Sequence, residues 1–113
     1  MKTKMLSLLL ALFVSGALFA QQAKTEKFKV YGNCGVCENR IETAAKGVEG
    51  VTNADWNKET KMMEVSFDAS KTDLKKIEKA IADAGHDTPM FKAANATYNA
   101  LPGCCKYTRE EEK

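Results

Sequence analysis

Two pairs of cysteines carry the chemistry of this 113-residue chain. Cys34 and Cys37 lie three positions apart in Tyr31-Gly32-Asn33-Cys34-Gly35-Val36-Cys37-Glu38, and Cys104 and Cys105 are adjacent. Two thiolates on one exposed turn suit two jobs: holding a soft metal ion, or cycling through a disulfide. The first pair follows a short strand pattern and a Gly-rich turn and opens a helical pattern. Cys34 therefore falls in the loop and Cys37 in the first helical turn, where the helix N-terminus favours thiolate over thiol. Soft sulfur with few hard ligands selects Cu(I) or Hg(II) over Mg, Ca or Mn. Zn(II) is a weaker candidate because it asks for four ligands. Cu(I) accepts two nearly linear sulfurs, which this turn can offer without a preformed cage. Gly35 gives the loop freedom for a partner thiol to enter before one of the pair leaves.

Three functional readings follow from the cysteines. The leading one is a carrier or sequestering protein that passes a thiophilic ion on by thiolate exchange. A thiol–disulfide redox protein would use the same pair, but it normally has an aromatic residue before its first cysteine, where this chain has Asn33. The third is an interaction domain whose cysteines are oxidised and inert. No nucleophile–base pair is visible, so the chain reads as a non-enzyme. Adjacent cysteines strain a mutual disulfide. That leaves Cys104 and Cys105 to return to the Cys34–Cys37 turn as further ligands, to bridge to that pair, or to hold a second ion. The first of these is the expectation.

The elements that position these groups can be read from apolar spacing. Residues 1–20 have the layout of a cleavable secretory signal: Lys2 and Lys4, an apolar run over 5–14, then small residues up to Ala20. The run is too short to span a membrane, so the mature chain is expected in the periplasm or otherwise exported, without stable membrane insertion. Losing Lys2 and Lys4 brings 17 Lys+Arg into balance with 15 Asp+Glu, which removes a basic surplus for nucleic acid. Alternation over 27–31 places Phe28 and Val30 inward on a first strand. Ile41, Ala44, Ala45 and Val48 give the first helix its apolar face, with Gly47 and Gly50 at its end. Strands over 51–57 and 61–67 form a hairpin, with Ala54, Trp56, Met63, Val65 and Phe67 inward. Leu74, Ile77, Ala80, Ile81 and Ala84 define a second helix, capped by Thr72 or Ser70 and stopped by Gly85. A last strand is expected over 88–93, at an edge because Pro89 cannot donate a hydrogen bond. This is an α+β, ferredoxin-like βαββαβ order: a four-stranded antiparallel sheet with two helices on one face. Residues 94–113 read as an extension outside that domain, its tail from 108 onward solvated and flexible.

The sequence resembles the heavy-metal-associated domain family over residues 26–93. That family includes copper chaperones, metal-binding repeats of copper-transporting ATPases and the periplasmic mercury-binding protein. The resemblance rests on Gly32-Asn33-Cys34-Gly35-Val36-Cys37 after the first strand, on Val48-Glu49-Gly50-Val51, and on Ala84-Gly85-His86 before the last strand. It implies Cys34 and Cys37 as metal ligands. It also implies a turn that brings His86, the one histidine, beside the cysteine loop as a candidate third ligand. The implied partners are a metal-transporting membrane protein or another metal-binding domain, with the chain a monomer or a metal-bridged dimer. One position departs from the family pattern. Gly32 stands where the family commonly has Met packing beneath the metal loop, so the expectation is either a more mobile loop or another side chain, Met90 or Tyr31, filling the gap.

Overall fold

The computed structural model describes residues 23–109; the expected leader, residues 1–20, and the last four residues, 110–113, lie outside the described residues. Strands β1 (Ala23–Lys29), β2 (Val51–Trp56) and β3 (Met62–Asp68) form an antiparallel sheet in the order β1-β3-β2. Helices α1 (Gly35–Lys46) and α2 (Leu74–Asp83) separate and follow the strands in the expected order. A short helix α3 (Asn95–Asn99) and a 3-10 turn (Gly103–Cys105) complete the chain. Among the described residues no helix is long and apolar enough to cross a membrane.

The period-two pattern of β3 sets the core. Met63, Val65 and Phe67 are buried, and the register pairs Met63 with Phe28 and with Trp56, and Val65 with Ala54. The opposite face is polar, with Lys27 and Glu64 meeting across it at 3.7 Å. Cys37, Ile41 and Ala45 on α1 and Ile77 and Ile81 on α2 close the buried face. The hairpin turn is held by Asn57, whose side-chain oxygen accepts from the Glu59 and Thr60 N–H groups at 2.8 and 3.0 Å. Asp73, rather than Thr72 or Ser70, caps α2, accepting from the Lys76 N–H at 2.9 Å.

The fourth strand does not form. Pairing beside the end of β1 begins with one bond, the Tyr31 N–H to the Asp87 carbonyl at 3.1 Å, and goes no further. Pro89 has no N–H to continue a ladder. The chain instead closes a turn in which Thr88 N–H and Oγ1 donate to the Phe91 carbonyl at 2.8 and 3.0 Å.

The C-terminal extension occupies the ground that a fourth strand leaves. Leu101, Cys105 and Tyr107 belong to the core cluster, with Tyr98 packed against it. Gly85 ends α2 with φ +113°, and a Cβ there would meet Leu101 Cδ2 at 2.8 Å, so the stop signal also makes room for the extension. The Tyr107 hydroxyl accepts from the Asp87 N–H at 2.9 Å and donates to the Gly85 carbonyl at 2.8 Å. The Tyr107 ring stacks with those of Tyr31 and His86, with Tyr98 edge-on at 5.0 Å. Arg109 grips the buried Asp87 carboxylate with two bonds of 3.0 and 2.8 Å and donates to the Ala93 carbonyl at 2.6 Å. The solvated tail expected from residue 108 is therefore tied down at Arg109.

Met90 is half exposed, and the Tyr31 ring stacks on Tyr107 with centroids 6.0 Å apart. Trp56 instead packs against Gly32: a Cβ on Gly32 would lie 3.0 Å from Trp56 Cη2 and 3.1 Å from Ile41 Cδ1. The indole N–H donates to the Val30 and Lys61 carbonyls at 3.0 and 3.2 Å, so the ring is held in place.

Two stability predictions follow from this packing. Gly32→Met overpacks the site against Trp56 and Ile41 and should cost about 1–3 kcal/mol in urea unfolding. Tyr107→Phe leaves the buried Asp87 N–H unpaired and should cost about 1–3 kcal/mol in the same measurement. Unchanged midpoints would mean that neither contact holds the fold.

Candidate metal centre

Cys34 is the N-cap of α1, in extended backbone with φ −143° and ψ −175°, and its carbonyl accepts the first helical bond from the Glu38 N–H at 3.0 Å. Ser or Asp at such a position presents an oxygen to the N–H groups two and three residues on. Here sulfur takes that place. The neutral thiol makes no capping bond. Ionised, it is favoured by the N–H groups of Cys37 and then Val36, with smaller help from the Cys104 and Cys37 side chains. These outweigh partial burial and lower the Cys34 pKa to about 7. A long contact from Cys34 Sγ to the Cys104 carbonyl, 3.7 Å, is available only to the protonated form.

Cys37 faces inward from the first turn of α1 and is fully buried, whereas Val36 and Gly35 in the same turn are exposed. Cys105 is also fully buried, and Cys104 is exposed. Burial first, and then the neighbouring Cys37 and Cys104, push the Cys105 thiol well up, so it holds its proton. All four thiols are free. The sulfurs of Cys34, Cys104 and Cys105 lie within 4.8 Å of one another, and those of Cys104 and Cys105 are 4.0 Å apart. Cys37 acts on both Cys34 and Cys105 from beside this trio. With no carboxylate in the group, this donor set fits a soft, thiophilic ion.

The extension reaches this loop because it is anchored on both sides of its cysteines, by Leu101 before them and by Tyr107 and Arg109 after them. The Asn33 side-chain amide donates to the Cys104 carbonyl at 3.4 Å. Little in the sequence marks Tyr98, Leu101, Tyr107 and Arg109 as site-building residues. Their signal was weak: three large apolar or aromatic side chains in an otherwise polar segment, with no helical or strand period.

His86 is fully buried and is not one of the three clustered thiol neighbours. Its Nδ1 lies 2.8 Å from the Tyr31 carbonyl and donates to it, which leaves Nε2 buried without a hydrogen-bond partner among the described residues. Desolvation lowers its pKa; Arg40 adds to the lowering, against the pull of Tyr31 and Asp87. A second trio, Glu38, Glu42 and Asp55, lies beside α1, where one Glu42 oxygen already accepts the Trp56 N–H at 2.9 Å.

The site predicts two pH responses. Alkylation of reduced protein should show Cys34 reacting first, with a midpoint near pH 7 instead of the usual thiol range. Separately, the folded state disfavours protonated His86, so the unfolded chain binds the extra proton more readily. Stability from this group is then present at neutral pH and is lost as pH falls below about 6.5, the unfolded value. His86→Gln should flatten that acid limb in denaturant unfolding.

Residues 28–87 match the heavy-metal-associated domain. Among curated relatives, the copper chaperone CopZ of Staphylococcus aureus is 38% identical over 55 residues, 49% of this chain and 81% of the relative. Oxidized MerP from Ralstonia metallidurans CH34 superimposes with a TM-score of 0.56 at 37% identity, covering 58% of this chain and 93% of that one. The N-terminal domain of a potential copper-translocating P-type ATPase from Bacillus subtilis, in its Cu(I)-loaded state, gives 0.56 at 25% identity, covering 58% and 84% of the two chains. The residues after 87, including Cys104 and Cys105, lie beyond the stretch that the family match covers. Through its cysteine turn and the elements that hold it, this chain belongs to the heavy-metal-associated domain family.

Proposed function

We propose that the chain is an exported carrier of a thiophilic ion, with Cu(I) as the foremost cargo and Hg(II) the second. Cys34 and Cys37 are the ligands on which the reading rests. The observation that carries it is the Cys34 sulfur at the N-cap of α1, ionised near neutral pH among three further free thiols. A soft ion needs thiolate, and the lowered Cys34 pKa offers one at neutral pH, whereas Cys105 must first lose a tightly held proton. Zn(II) would require all four sulfurs at once. The likeness to a copper chaperone, to MerP and to a Cu(I)-loaded ATPase domain supports this cargo class.

Delivery is by ligand exchange. An incoming thiol loses its proton and bonds the ion as one of the chain's own thiolates is released and reprotonated, with no change of oxidation state. The receiver is a metal-transporting membrane protein or another metal-binding domain, a reading supported by the likeness to an N-terminal domain of a potential copper-translocating ATPase. Export follows from the residue pattern of 1–20, and the balanced charge of the remaining chain gives no reason to invoke nucleic acid.

Competitive titration of reduced protein against a chromophoric Cu(I) chelator tests this reading. Tight binding of about one ion per chain is expected, steeply weakened in Cys34→Ser/Cys37→Ser. Failure to bind Cu(I) and Hg(II) tightly, together with catalysed reduction of insulin, would favour a redox role for the same pair.

A further inference from the structure

We propose that Cys104 and Cys105 join Cys34 in a three-thiolate site, so that the C-terminal extension is a built-in strap that supplies ligands to the family's two-cysteine turn. This rests on the carrier reading but goes beyond it. A heavy-metal-associated turn of two cysteines offers two sulfurs, and the cysteines of the strap lie outside the matched residues.

The geometry favours a triangle. With metal–sulfur bonds of about 2.3 Å, sulfurs lie about 4.0 Å apart around a trigonal ion and about 4.6 Å apart across a linear one. Cys104 and Cys105 are 4.0 Å apart, and Cys34 lies within 4.8 Å of both. A trigonal ion therefore needs little movement of these three sulfurs.

The strap is not a loose segment that happens to pass the loop. Leu101 is buried against Gly85, and Tyr107 is bonded to both Asp87 and Gly85. Arg109 locks onto the buried Asp87, and Asn33 reaches the Cys104 carbonyl from the metal loop itself. Fixing residues on both sides of the cysteines limits the entropy lost when their sulfurs close on an ion.

The three donors also differ in access. Cys105 is fully buried, Cys34 partly so, and Cys104 exposed. Cys104 is thus the ligand that an incoming thiol displaces. It accepts a proton on leaving while the incoming thiol gives one up. Cys37, buried beside Cys34 and Cys105, is the sulfur through which the ion can fall back to the two-cysteine arrangement.

X-ray absorption of the full chain loaded with one equivalent of Cu(I) reads the coordination number directly. Three sulfur neighbours are expected in the wild-type protein and in Cys37→Ala, falling to two in Cys104→Ser/Cys105→Ala, with weaker binding in the chelator titration. Cys104→Ser alone, at the exposed position, guards against a variant that fails to fold. It should bind more weakly than wild type while keeping the same far-ultraviolet circular dichroism. Two sulfur neighbours in the wild-type protein, with affinity unchanged in Cys104→Ser and in the double variant, would overturn the strap and leave the carrier reading intact. No tight binding by wild type would remove both. Loss of the third sulfur in Cys37→Ala would overturn the assignment of Cys34, Cys104 and Cys105 as the trio.

Discussion

Thiolates gathered for a soft cation repel one another, so their charge has to be managed before the ion arrives. Two unit charges 4 Å apart in a partly buried setting interact by about 4 kcal/mol, which is enough to keep most of a cluster protonated. This chain ionises one sulfur and keeps another firmly neutral. Cys34 takes its negative charge from the free N–H groups of Val36 and Cys37 at the start of α1. Cys105 is held protonated by burial and by the sulfurs around it. An arriving cation replaces that proton and reverses the repulsion, so the cluster is stable when empty and becomes mutually supporting when filled.

That arrangement depends on how α1 starts and on what covers the end of the sheet. The first requirement is local: an extended N-cap residue followed by Gly35 and Val36, with Ile41 and Ala45 burying the helix face that packs on β2. The second is long-range. A fourth strand beside β1 would satisfy its edge with backbone bonds. Here one backbone bond, from Tyr31 to Asp87, remains, and side-chain bonds gather around Asp87 instead. Asp87 accepts Arg109 and the Ala93 N–H, while its own N–H goes to Tyr107. Replacing a ladder by a polar clamp gives up regularity, but it brings a new segment with its own cysteines to the metal loop.

These two requirements were unequally legible in the sequence. Helix and hairpin positions with a clear period were read to within a residue or two, and the inward residues Phe28, Ala54, Trp56, Met63, Val65 and Phe67 are all buried. Period and turn chemistry act between near neighbours, and a single sequence records them. The last strand is not legible in this way: Pro89 marks an edge in the sequence, but that Thr88 closes a turn onto Phe91 and ends the pairing shows only in the structure. The packing of Trp56 against Gly32 is hidden for a related reason. Trp56 is distant in sequence, and only the pairing of β2 with β3 brings its ring under the loop. The return of Cys104 and Cys105 was inferred from sulfur chemistry alone; the anchors that achieve it, Tyr107 and Arg109, show no pattern at the sequence level.

A third sulfur changes what a carrier can do. With two ligands, an ion is held loosely enough that a partner's thiol adds to an open position. With a third already in place, exchange must begin with displacement, and the most accessible ligand goes first. The gradient from buried Cys105 through Cys34 to exposed Cys104 sets that order. It trades speed of release for retention. Retention does not become a trap, because Cys37 remains beside the cluster to compensate when Cys104 is drawn away. The strap and the turn then act as two halves of one site, joined at Cys34, the sulfur common to both ligand sets.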